Sequence, residues 1–281
     1  MKSFSRNLLL LHALCMPSTF ATTLLIDDFS DGNRTSSSNG GNWYHVGTNT
    51  VTFPGGGMNV APGGAVSRTM QTTFSATSLA VGDSITATFD LRFTDSLATL
   101  DRQFRMGLFN SAGTALTADD TVGNATSLAS NADNYGYWSG ISTGASNNGD
   151  AFMYYQPTGG NSFMSTTSTG AVNLTSDFNF GGINDNLTHT FSLTLARTAT
   201  AFDYTFAVSG PLTGTLPTGS VTRTYTGTST NTFDTFAIMT SNAALDYTID
   251  NVAISVIPEP GPLGLLALGG LAHVLRRRRS I

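Results

Sequence analysis

The chain has 281 residues, 18 acidic and 13 basic side chains, a net charge of −5 and one cysteine. The charge is unevenly spread: residues 24–256 hold 17 Asp and 7 Arg with neither Glu nor Lys, a net of −10, while basic side chains gather at both ends. Such a body lacks the Lys and Arg needed to displace phosphate counterions, which argues against a nucleic-acid partner, and its Gly, Ser, Thr and Asn favour strands and turns over helices.

Lys2 and Arg6 precede an apolar run over residues 8–16, and Thr19-Phe20-Ala21 offers the small side chains a signal peptidase reads. Residues 1–21 are therefore expected to be a helical signal peptide, cut after Ala21, that exports the chain. Leu14 in place of a small residue before Cys15 argues against lipidation. Cys15 leaves with the leader, so the exported body has no disulfide, thiolate metal site or cysteine nucleophile.

Residues 22–256 are long enough for one large sandwich with its own core. The first strand is expected over residues 24–29. It runs into Asp27-Asp28-Phe29-Ser30-Asp31-Gly32-Asn33, the densest oxygen cluster of the chain. Hard cations take carboxylate and carbonyl oxygens, so Asp27, Asp28 and Asp31 are candidate ligands for Ca2+, joined by Asp250 if the first and last strands are neighbours. The other reading is that these side chains support turns.

Ile85, Ala87, Phe89, Leu91 and Phe93 alternate with polar residues and give the clearest strand. Phe104, Met106 and Leu108 repeat the pattern. Tyr135, Tyr137, Trp138, Tyr154 and Tyr155 bracket a loop rich in Gly, Asn and Ser. Aromatic faces of this kind bind sugars, and they also build cores, and both readings stand here. Phe191, Leu193 and Leu195 pair with Tyr204, Phe206 and Val208 as an antiparallel hairpin ended by Gly210-Pro211. Tyr247 and Ile249 share one parity, and Val252, Ile254 and Val256 the other. A bulge at Asp250-Asn251 would turn both sets inward.

Turn-rich segments join these runs, and the expected fold is all-β, a jelly-roll-like antiparallel β-sandwich. Leu24-Leu25-Ile26-Asp27-Asp28-Phe29, Trp43 and Tyr247-Thr248-Ile249-Asp250-Asn251-Val252 are similar in pattern to concanavalin A-like and laminin-G-type domains. That resemblance implies the sandwich and a lectin-like body more than any activity.

Glycosidases on such sandwiches commonly use paired glutamates. Glutamate is absent before residue 259. Asp27-Asp28 and Asp119-Asp120 are the available substitutes, but neighbours on a strand point to opposite faces. A polysaccharide-active hydrolase using Asp residues is thus the alternative, and a non-catalytic protein the leading expectation. His45 and His189 are isolated, and Gly136-Tyr137-Trp138-Ser139-Gly140 places its serine one position late for a nucleophile elbow.

The chain closes with Ile257-Pro258-Glu259-Pro260-Gly261-Pro262, an apolar run over residues 263–275, and Arg276, Arg277, Arg278 and Arg279. Three prolines cannot continue a ladder or a helix, so the folded body ends near Val256. The apolar run is shorter than the roughly 20 residues of a stable span, and the arginines hold its far end in the cytoplasm. A Pro-Glu-Pro signature, a short hydrophobic transmembrane helix and an arginine cluster over residues 257–281 resemble the PEP-CTERM sorting tail of bacterial envelope proteins. The resemblance implies an inner-membrane-anchored precursor, processing by an exosortase-type membrane enzyme, and transfer to the cell envelope, outer surface or medium, often beside exopolysaccharide.

Overall fold

The computed structural model describes residues 20–35, 40–64, 67–95, 102–121, 133–143, 149–159, 163–174, 178–212, 218–227, 229–241 and 245–259. The leader residues Lys2, Arg6 and Cys15, and Pro260 with the arginine cluster, lie outside them. Among the described residues the only helical turn is Pro54–Gly56, and no helix is long and apolar enough to cross a membrane.

The body is an antiparallel sandwich of two eight-stranded sheets. In chain order its strands are β1 (Thr22–Asp27), β2 (Trp43–Val46), β3 (Asn49–Thr52), β4 (Met58–Pro62), β5 (Arg68–Ser78), β6 (Ser84–Phe93), β7 (Arg102–Asn110) and β8 (Tyr135–Thr143). They continue as β9 (Asp150–Gln156), β10 (Val172–Asn173), β11 (Phe178–Asn179), β12 (Thr188–Arg197), β13 (Phe202–Ser209), β14 (Thr218–Tyr225), β15 (Thr232–Ser241) and β16 (Tyr247–Ile257). The first sheet runs β14-β13-β12-β6-β16-β4-β3, with β1 also on β16; the second runs β10-β9-β8-β7-β15-β5-β2, with β11 also on β9.

The first sheet follows its sequence pattern. Ile85, Ala87, Phe89, Leu91 and Phe93 are all buried on β6, and Leu193 sits opposite both Ala87 and Phe206. Phe89 stacks on Phe191 at 5.6 Å and meets Phe104 and Phe236 of the other sheet at 6.2 and 5.8 Å, so aromatic contacts join the two layers. Ser139 and Tyr204 add a hydrogen bond across the core. The bulge in β16 is present: Asp250 faces Asp90, Ala253 faces Thr88, and Asn251 between them has φ of 51°.

Two expectations change. The first strand spans Thr22–Asp27 rather than residues 24–29, because the Asp27 and Asp28 carboxylates take the amides of Phe29 and Ser30 and turn the chain, leaving Phe29 at φ 50°. The second sheet also buries its outer face. Val46, Phe109, Trp138, Ala237 and Met239 form a second cluster there with Phe163 and Met164, which come from the connection after β9. This explains why β8 and β15, buried on both faces, show no alternation.

Candidate functional site

Strand alternation splits the five aromatics singled out by sequence. Tyr137 and Tyr155 point into the main core, where their rings lie 5.1 Å apart and Tyr155 stacks on Tyr225 at 4.4 Å. Tyr135 shares their parity and is half-buried. Burial pushes the Tyr137 hydroxyl far above its ordinary 10 and the Tyr155 hydroxyl to about 12, so both stay neutral. Trp138 and Tyr154 lie on the opposite, outer face and stack at 4.6 Å with planes 9° apart. Trp138 is fully buried beside its cross-strand neighbour Tyr154, which is half-buried.

Arg105, which no motif or spacing singles out, borders this pair. Its guanidinium sits 5.2 Å from the Trp138 ring centre and 5.9 Å from that of Phe152. It donates to the Gln103 side chain and the Met164 carbonyl. Burial lowers its pKa to about 10, which still leaves it charged at neutral pH. Gly140 is required beside it, since any Cβ there would overlap the Phe152 ring. The outer face thus carries a buried cation and an aromatic stack of which only Tyr154 is partly exposed.

The candidate calcium ligands serve turns. Asp27 is 4% exposed; its Oδ1 accepts the Phe29 amide at 3.0 Å, and its Oδ2 accepts the Gly41 amide at 3.1 Å and Trp43 Nε1 at 2.9 Å. Hydrogen bonds from Ser30 hold the Asp28 carboxyl below its ordinary 3.8. Asp31 caps the Asn33 amide, and Asp250 caps that of Asn251. Although β1 and β16 are neighbours, no three carboxylate or imidazole side chains come together as metal ligands would, among the described residues. The donors already on Asp27 do not fit a calcium ligand.

Asp119 joins Arg34 and His45. Arg34 forks onto both carboxylate oxygens, the His45 amide donates to Oδ1 at 3.1 Å, and His45 Nε2 lies 3.3 Å from Oδ2. His45 Nδ1 is spent on the Gly47 carbonyl at 2.7 Å. Burial raises the Asp119 pKa, but Arg34 and His45 outweigh it and leave the carboxyl below its ordinary 3.8. A depressed folded pKa stabilises above the unfolded value and loses that effect as pH falls through the folded one. Asp119→Asn is expected to cost about 1 kcal/mol near neutral pH, as for partly exposed pairs, and progressively less as pH falls below the ordinary 3.8, measured by urea unfolding. His189 is buried with Nε2 on the Asn184 carbonyl at 3.1 Å, and burial holds its pKa below 6.5. Ser139 of the Gly-Tyr-Trp-Ser-Gly segment lies inside the core.

The start of β1 and the end of β16 emerge side by side, with Thr22 opposite Val256. Thr22 and Val256 therefore lie at the same end of the sandwich. There Glu259 lies over the turn between β5 and β6: its amide donates to Asp83 Oδ1 at 3.0 Å.

Residues 256–279 match the model of the PEP-CTERM protein-sorting motif. No curated protein matches the sequence. Among solved structures the chain is similar to lectin II from Ulex europaeus, at 10% identity and TM-score 0.44, covering 86% of this chain and 99% of that one. It is similar to a carbohydrate esterase from the Shiga toxin-encoding bacteriophage phi24B at 15% identity and TM-score 0.47, covering 85% and 100%. The metal-free carbohydrate recognition domain of Emp46p matches at 9% identity and TM-score 0.48, covering 84% and 96%.

Proposed function

We propose that this chain is an exported, non-catalytic protein of the bacterial cell surface or extracellular matrix, anchored in the inner membrane as a precursor and processed at its sorting motif by an exosortase-type enzyme. The observation that carries this reading is the junction itself: the sandwich ends at Ile257 and the motif begins with no intervening linker. A cysteine-free body suits either side of the membrane. Fractionation with mass determination tests the route, and the expected product is an envelope or extracellular species lacking the apolar run and arginines. Intact precursor in the soluble cytosol would remove the reading.

The sandwich contacts exopolysaccharide at Tyr154, the half-buried member of the aromatic pair on the outer face of its second sheet, while Arg105 is buried against Trp138 and supports the pair from behind. Support comes from the Trp138–Tyr154 stack, which fixes the orientation of the half-buried Tyr154 ring. The non-catalytic part is supported by the two aspartate pairs: Asp27 is saturated with donors, and Asp119 is neutralised by Arg34. Tyr154→Ala is expected to weaken retention of the exported protein on isolated exopolysaccharide by about tenfold, the worth of a good aromatic contact. Unchanged retention in a folded variant would place any sugar contact elsewhere.

A further inference from the structure

β16 stays paired to the last residue before the first proline of the motif. Val256 faces Ile85 on one side and Thr22 on the other, and Ile257 faces Ser84. Val256 is also only 7% exposed. A processing enzyme must reach the backbone of an extended segment, and up to Val256 that backbone is taken by two neighbouring strands.

The body holds two further residues. The Glu259 amide donates to Asp83 Oδ1, while Asp83 Oδ2 accepts the Ala80 amide at 2.8 Å. Gly82, at φ 93°, lies beneath the Glu259 side chain, and any Cβ at that position would overlap the carboxylate. The turn is itself pinned to β12: the Gly82 amide donates to the Arg197 carbonyl at 2.7 Å, and the Arg197 amide to the Asp83 carbonyl at 2.9 Å. Beyond Glu259 only Pro260, Gly261 and Pro262 precede the apolar run, a reach of about 10 Å.

The geometry points to a processing position: the chain is cut between Glu259 and Leu263, and the turn formed by residues 80–84 is the receptor that keeps Pro258 and Glu259 on the released body. This deepens the sorting reading and rests on it. One peptide bond in that window breaks; the hydroxyl of water joins the carbonyl carbon, and the amine that leaves with the tail takes the remaining proton.

The test is the C-terminal peptide and intact mass of the processed protein recovered from a host that carries the sorting enzyme. A mature chain ending between Glu259 and Pro262 is the expected result. An end at Ile257 or earlier overturns the processing position and leaves the sorting reading standing, whereas full retention of the tail overturns both. Docking has its own readout in the detergent-solubilised precursor. The Glu259 amide should exchange about tenfold more slowly than in an open chain, the worth of one hydrogen bond, and Asp83→Ala should abolish the difference. A Glu259 amide that exchanges freely in the unaltered precursor overturns the receptor role.

Discussion

Asp27→Ala is expected to cost about 3–5 kcal/mol of stability, because a buried carboxylate that organises neutral donors leaves each donor unpaired when it goes. Three donors depend on it: the amides of Phe29 and Gly41 and the indole nitrogen of Trp43. Trp43 is fully buried and meets Phe29 at 5.8 Å and Phe236 at 6.1 Å, so the loss spreads from the turn after β1 into the contact between sheets. Asp27→Asn should recover little, since its amide nitrogen would face N–H groups on whichever side it lies. A fall in the unfolding midpoint of roughly 10 °C is the corresponding thermal signature for a domain of this size. Burial, outweighing the three donors, pushes the Asp27 carboxyl above its ordinary 3.8. The folded state then binds that proton more tightly than the unfolded chain. Its contribution is complete below the unfolded value and is lost as pH rises through the raised folded one. The stability margin of the wild type over Asp27→Asn should accordingly narrow as pH rises, when both are unfolded in urea across that range. A margin that widens instead would mean that the three N–H donors outweigh burial and hold Asp27 as an anion.

The first sheet could be read from the sequence because one of its faces meets solvent. On β6 every inward residue is apolar and every outward one is Ser, Thr, Asp or Arg, which is the signal that alternation detects. The second sheet was obscure for the opposite reason. Segments remote in sequence cover its outer face, so β15 carries Phe, Ala, Ile and Met in succession and resembles no half-buried strand. The same covering hid Arg105, whose position on β7 reads as outward and solvated until Met164 is placed over it. It also left the aromatic cluster undivided, since nothing in Tyr135 to Trp138 tells which parity faces the core. The sorting motif was legible because its three parts are contiguous. Its seat on Gly82 and Asp83 was not, because a contact 176 residues away leaves no local trace.

Two single-residue changes in β16 should differ sharply although each alters the length by one. Between Asp250 and Ala253 this strand has two residues, Asn251 and Val252, where β6 has only Phe89 between Asp90 and Thr88, so Asn251 is the extra one. Deleting Asn251 restores plain alternation: Val252, Ile254 and Val256 then fall into the parity of Tyr247 and Ile249, all of them core residues. The deletion loses the Asn251 hydrogen bond to Asp90 and relieves a left-handed non-glycine backbone, and it should cost less than about 2 kcal/mol. Inserting one alanine after Ala253 does the reverse. Ile254 and Val256 would turn outward, forfeiting about 1.5–3 kcal/mol each, or the end of the strand would slip against Ile85 and Thr22. Either outcome also moves Glu259 by about 3.3 Å along the strand, past the Asp83 carboxylate that holds its amide. Urea unfolding should rank the deletion near the wild type and the insertion several kcal/mol below it, and only the insertion should release the Glu259 amide to fast exchange. Equal damage from both changes would show that the bulge, rather than the inward parity beyond it, is what this strand requires.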